Sequence, residues 1–169
     1  MEEFEHCPYC GGRLESAERT GRYVCRVCER RVYCNPLPSV AVAVFDAERR
    51  LLLIRRGAEP RRGTWALPGG FVDWMEKPEA AVIRELAEET GLAADGEPEL
   101  VDARYQPSAM YGSVINICYL VPSWSGEPRP GDDADETRFF AFDDIPAGIA
   151  FESHRLFIEK LKRIARECK

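Results

Sequence analysis

Two apolar runs, Val40–Phe45 and Leu51–Ile54, flank the polar stretch Asp46–Arg50, and this arrangement predicts a β-hairpin. A loop rich in Arg, Pro and Gly follows over Gly57–Gly63, and Trp65-Ala-Leu-Pro-Gly-Gly then predicts a short strand ending in a turn. Pro78–Thr90 predicts a helix. Proline suits its first turn, Gly91 can close it, and Ala80, Ala81, Ile83, Leu86 and Ala87 are expected to face inward. Glu99–Tyr105, Ser113–Val121 and Arg138–Phe142 read as further strands. Ser153–Glu167 reads as an amphipathic helix whose buried stripe is Phe157, Ile158, Leu161, Ile164 and Ala165. Strands with few helices and no βαβ regularity predict an α+β fold, a mixed β-sheet flanked by helices.

The stretch before Val40 has a different character. Asn35-Pro36-Leu37-Pro38 is a stiff joint that divides the chain into residues 1–36 and 37–169. The first part is too short to fold on a hydrophobic core alone. It carries four of the chain's seven cysteines, as Cys7-Pro-Tyr-Cys10 and Cys25-Arg-Val-Cys28, fourteen residues apart. Two such knuckles can place Cys7, Cys10, Cys25 and Cys28 around one tetrahedral Zn²⁺, with Gly11 allowing the tight turn after the first. A closed four-thiolate shell has no open position for water, so this zinc would be structural and the segment a zinc ribbon. Cys34 breaks the pattern, Cys118 reads as core, and Cys168 lies at the terminus.

Charge narrows the range of partners. The 169 residues carry a net charge of −6, and within 1–36 six Glu balance six Arg, Arg19 among them. No basic stripe is visible, so a nucleic-acid partner is not expected. The longest apolar run, Leu51–Ile54, is far below the ~20 residues of a membrane span. The first residues are acidic, unlike the start of a signal peptide, and the chain reads as cytoplasmic. A homodimer is compatible with the sequence.

The chemistry concentrates on the helix Pro78–Thr90. At about 100° per residue, Glu88 and Glu89 fall roughly −60° and +40° from Glu85, so three carboxylates share one face. Like charges at that spacing destabilise a helix, and an oxygen-only set of this kind suits Mg²⁺ or Mn²⁺. The spacing then extends in both directions. Gly70, five residues, Glu76, seven residues, and Arg84-Glu85-Leu86-Ala87-Glu88-Glu89-Thr90-Gly91-Leu92 match the Nudix box at every fixed position. The chain therefore resembles the Nudix hydrolases over roughly residues 37–169.

That resemblance implies a metal-dependent hydrolase of nucleoside diphosphates linked to a second group X. It implies that Glu85, Glu88 and Glu89, with the backbone carbonyl of Gly70, hold the divalent metals, and that Glu76 and Arg84 fasten loop to helix. Glu136, in the acidic loop before Arg138–Phe142, resembles the outlying carboxylate that many members use as metal ligand or base; Glu85 and Glu136 are both candidates for the general base. A zinc ribbon before such a domain resembles the NADH pyrophosphatase group. However, Arg104–Ser113 lacks the Ser-Gln-Pro-Trp-Pro-Phe-Pro stretch of the NADH enzymes, and Glu59–Pro68 is more similar to relatives acting on ADP-ribose or FAD. Arg61 and Arg62 are candidate diphosphate contacts, and Tyr105 and Tyr111 candidate stacking partners for a base. The expected partner is a small nucleotide. The competing readings are a retired Nudix-type nucleotide sensor and a hydrolase acting on nucleotide caps of RNA.

Overall fold

The computed structural model describes residues 4–16 and 21–167. Arg19 and Cys168 lie outside the described residues. Two compact units emerge. One takes the chain up to Leu37 together with Pro107–Ser113, and the other takes Pro38–Gln106 and Val114 onward.

The first unit is a three-stranded antiparallel sheet of β1 (Leu14–Ser16), β2 (Arg22–Cys25) and β3 (Arg31–Tyr33). Its core is minimal: Cys7, Leu14, Tyr23 and Cys25 are buried, with Cys28 and Val32 packed against them. Nothing in the sequence pattern joins Pro107–Ser113 to this unit. These residues are the end of β8 (Glu99–Ser108), the start of β9 (Gly112–Leu120) and the turn between them.

In the second unit β4 (Leu37–Ala43) joins β9 and β8 in one sheet, while β5 (Leu51–Arg56) lies between β11 (Ala134–Phe140) and β6 (Trp65–Ala66) in another. The expected hairpin is thus only a closure. A single bridge, Phe45 to Leu51, and the Leu52 N–H to Val44 carbonyl bond at 3.0 Å join the two runs before they enter different sheets. The physical reason is burial on both sides. Val40, Val42, Val44 and Leu52 pack toward α1 (Pro78–Thr90), whereas Ala41, Ala43, Leu51 and Leu53 pack toward α2 (Glu152–Glu167). Side chains alternate across a strand, so an unbroken apolar run marks a strand covered on both faces. A short pair, β7 (Ala93–Ala94) with β10 (Trp124–Ser125), completes the α+β architecture.

The α2 stripe is largely as expected: Phe157, Ile158 and Leu161 are buried, Ile164 and Ala165 half-buried. The inward face of α1 is not. Ala81, Val82, Glu85, Leu86, Glu89 and Thr90 are buried, while Ala80, Ile83 and Ala87 are exposed. Two carboxylates occupy inward positions, so apolar residues alone misplace the face by about half a turn.

Candidate active site

The helix α1 begins at Pro78, whose missing N–H costs nothing in the first turn, and ends at Gly91, which takes the left-handed conformation (φ 69°) and donates to the Ala87 carbonyl at 2.9 Å. Upstream, the segment Leu67–Gly70 is laid along β4. Val42 N–H donates to Pro68 O at 2.7 Å and Val40 N–H to Gly70 O at 2.8 Å. The approach is so close that a Cβ on Gly69 (φ 145°) would sit 2.1 Å from the Val40 carbonyl oxygen, and one on Gly70 2.3 Å from Glu85 Oε1. Gly69 is therefore demanded by contact with backbone, whereas at Gly70 a Cβ would displace the end of the Glu85 side chain, whose carboxylate rests there.

Glu89 is 3% exposed, and its Oε2 accepts the Gly69 N–H at 2.7 Å. Burial pushes its carboxyl up to about 8 against that bond. Glu85 is also raised, again chiefly by burial, with the Arg84 hydrogen bond opposing. Glu88 is exposed. The countercharge within the chain is Arg84, whose Nη1 donates to Glu85 at 2.7 Å and Glu88 at 3.1 Å. The same guanidinium grips Glu76 through Nε at 2.9 Å and Nη2 at 2.8 Å, and Nη2 also reaches the Phe71 carbonyl at 3.0 Å. Glu76 is held down at about 2, first by Arg84 and then by the Asp73 N–H. One arginine thus ties the loop 71–76 to the helix while facing two of its carboxylates.

Other expected residues are placed differently from one another. Glu136 lies inside β11, beyond an irregularity at Ala134–Glu136, rather than in a loop, and its Oε2 is 3.8 Å from Arg55 Nη1. The neighbouring acids are the ones that act on the helix: Asp132 raises Glu85 and Asp133 raises Glu89 through their charges. Arg61 and Arg62 are exposed, whereas Arg56, overlooked in the sequence, is half-buried. Its charge acts on both Glu89 and His154, and it lies 5.2 Å from the Phe151 ring. Its only signal was its place at the end of an apolar strand. Tyr105 is exposed on β8, and Tyr111 goes with the first unit. Trp74, in the loop fixed by Arg84, is 93% exposed.

The four cysteine Sγ atoms all lie within 4.8 Å of one another, the only such set of ligand side chains among the described residues. Four sulfurs each ~2.3 Å from a common tetrahedral ion would be ~3.8 Å apart. Cys7–Cys28 and Cys10–Cys25 stand at 3.8 and 3.5 Å, so the thiols fit such an ion. The N–H groups of Val27 and Cys28 both aim at Cys25 Sγ at 3.4 Å, as a thiolate requires. Cys34 stays outside the set, and Cys118 is fully buried with its thiol pushed up to about 12.

A glycine turn against β4, a clamped loop and a carboxylate-bearing helix form one unit, and the NUDIX domain pattern matches residues 35–161 around them. The chain belongs to the Nudix family. Among curated relatives, an ADP-ribose pyrophosphatase of Methanocaldococcus jannaschii is 34% identical over 132 residues, 78% of this chain and 77% of that protein. The NAD-capped RNA hydrolase NudC of Vibrio vulnificus is 29% identical over 144 residues, 83% of this chain but 52% of its own length, so this Nudix protein spans about half of that relative. The crystal structure of a NUDIX hydrolase from Nitrosomonas europaea superposes with a TM-score of 0.73 at 26% identity, covering 98% of this chain and 92% of that one. Among the described residues no helix is long and apolar enough to cross a membrane.

Proposed function

We propose that this Nudix protein hydrolyses the pyrophosphate bond of a nucleoside diphosphate linked to X, with ADP-ribose as the leading substrate. The observation that carries the reading is the complete carboxylate set on α1, with Glu85 and Glu88 bonded to Arg84 and Glu89 accepting the Gly69 N–H of the glycine turn. A protein that only senses nucleotides has no need of all three carboxylates. The M. jannaschii relative, matched over most of both chains, is named for ADP-ribose, and that supports the choice of X.

In this reading Glu85, Glu88 and Glu89 hold Mg²⁺ or Mn²⁺, and the donor set fits: two buried carboxylates disfavoured as anions and a third at the surface, all hard oxygen ligands. When bound, such a cation neutralises the diphosphate oxygens and activates water. The chain's own residues do the rest. Arg84 and Glu76 fix the loop, Gly70 lets Glu85 approach, and Arg56 offers a half-buried positive charge beside the carboxylates for a phosphate oxygen. We assign the proton of the attacking water to Glu136, because Glu85 is engaged by Arg84 at 2.7 Å whereas Glu136, among the described residues, pairs only with Arg55 at 3.8 Å. Residues 37–169 form the catalytic domain. Residues 1–36 form a ribbon whose Cys7, Cys10, Cys25 and Cys28 bind structural Zn²⁺. The test is kcat/KM across ADP-ribose, NADH, FAD and nucleoside triphosphates, since that ratio reports transition-state discrimination. ADP-ribose is expected to lead; a triphosphate ahead of all three dinucleotide-type substrates by ~10-fold or more would overturn the reading.

A further inference from the structure

Away from the carboxylates, the polar group least explained by the fold is Asn116 on β9. It is 5% exposed, and its Oδ1 is the buried side-chain oxygen that lacks a partner among the described residues. Buried polar atoms without partners are rare in folded proteins.

The placing of that oxygen follows from a relay that runs in one direction. The Ser153 backbone N–H, at the start of α2, can only donate, and it donates to Gln106 Oε1 at 3.4 Å. The Ser153 hydroxyl gives its one proton to the same Oε1 at 2.6 Å. Its oxygen must then accept from Asn116, and it does so from Nδ2 at 3.2 Å. Asn116 Oδ1 is thereby turned away from the relay as an acceptor without a donor. Gln106 Nε2, on a half-buried side chain, makes no hydrogen bond among the described residues and leaves a donor on offer as well.

The relay adjoins the segment that carries the site. Ser153 precedes His154, whose Nδ1 accepts the Leu67 N–H at 3.1 Å. Gly69, two residues farther along, gives its N–H to Glu89. Leu67 and Gly69 are at most ~7 Å apart along the chain, so the relay and the carboxylates are tied to the same short segment.

Resting on the ADP-ribose reading above, we propose that Asn116 is a specificity-determining residue. It presents Oδ1 to the exocyclic amino group of the substrate's adenine, and Gln106 Nε2 donates to the adjoining ring nitrogen. Adenine offers this pairing of an amino donor beside a ring acceptor, and carboxamides read it. Hypoxanthine keeps the shape but replaces the amino donor with a carbonyl oxygen, which would face Oδ1 as acceptor against acceptor.

The experiment compares kcat and KM for ADP-ribose and its hypoxanthine counterpart, IDP-ribose, together with calorimetric Kd values for AMP and IMP. It uses the parent chain, Asn116→Leu and Ser153→Ala. The parent is expected to favour the adenine compounds by ~10-fold or more, because a site built to pair a polar group rejects a ligand lacking it. Asn116→Leu removes the oxygen and should erase that preference mainly through KM and the AMP Kd. Ser153→Ala leaves Asn116 in place but frees its amide to turn, so the preference should shrink there too, which covers the case of a Leu variant that fails to fold. An adenine preference unchanged in folded Asn116→Leu or in Ser153→Ala, or none in the parent, overturns the inference while leaving the hydrolase reading intact. Hydrolysis of neither compound by the parent removes both.

Discussion

At the scale of single residues, the site is defined by charge placed where charge is costly. Glu89 lies under the Gly69 amide with its carboxyl raised to about 8, chiefly by burial. Glu89→Gln keeps the shape and an acceptor for Gly69, so folding should survive. Turnover should fall by ~10²-fold or more, since a neutral amide is a poor ligand for a hard cation. Steady-state rates beside a thermal melt check this, and near-parental activity in a folded variant would refute the role. His154 is another buried titratable group. Burial, aided by Arg56, lowers its imidazole from 6.5 to about 3, and the neutral ring accepts from Leu67. The folded state therefore refuses a proton that the unfolded chain takes below its usual pKa. The stability this group contributes is fully present above pH ~6.5 and is lost as pH falls toward 3, at up to about 1.4 kcal/mol per unit. Asn in place of His154 can keep an acceptor near the Nδ1 position without titrating. Relative to His154→Asn, the parent should lose ~2–3 kcal/mol between pH 6.5 and 4.5 in denaturant titrations; parallel curves would contradict it.

At the scale of elements, the contacts of Leu67–Gly70 on β4 matter most. Gly69→Ala would drive a Cβ to 2.1 Å from backbone oxygen that cannot move without disturbing β4. Gly63, also left-handed at φ 78°, has nothing within 4 Å of the same Cβ. Gly63→Ala should cost only the ~1–2 kcal/mol of the conformation itself, while Gly69→Ala should cost distinctly more or prevent folding. Equal melting temperatures for the two would show that the close approach is not rigid. How far the elements could be read from sequence follows the same physics. The box was legible because Gly70, Glu76, Arg84 and the three glutamates occur at fixed spacing, and the amphipathic stripe of α2 because Phe157, Ile158 and Leu161 are large. The face of α1 was misread because Glu85 and Glu89 hold inward positions that apolar periodicity assigns to alanines. The β4–β5 hairpin was misread because adjacency in sequence suggested pairing, whereas burial on both faces sends each strand to other partners. The relay of Gln106, Asn116 and Ser153 left no local trace, as its members are 10 to 47 positions apart.

At the scale of the whole molecule, two units rest on two different sources of stability. The larger has two apolar layers, around Leu86 and around Phe157. The smaller buries little beyond Cys7, Leu14, Tyr23 and Cys25, and its four thiols lie within 4.8 Å of one another, close enough to share one tetrahedral ion. Metal analysis should find about one Zn²⁺ per chain, and changing Cys25 and Cys28 together to Ser should release it and loosen residues 1–36, with α1 and the sheets still folded. Zinc retained after that double change would mean other ligands hold it. Whether the carboxylate face of α1 splits a nucleotide-linked diphosphate is read from the products formed on incubation with ADP-ribose and Mg²⁺ or Mn²⁺. AMP and ribose 5-phosphate should appear in equal amounts, only with the divalent ion, and ~10²-fold or more slower in Glu89→Gln. No AMP from the folded parent with either metal, or AMP formed equally by Glu89→Gln, would contradict it.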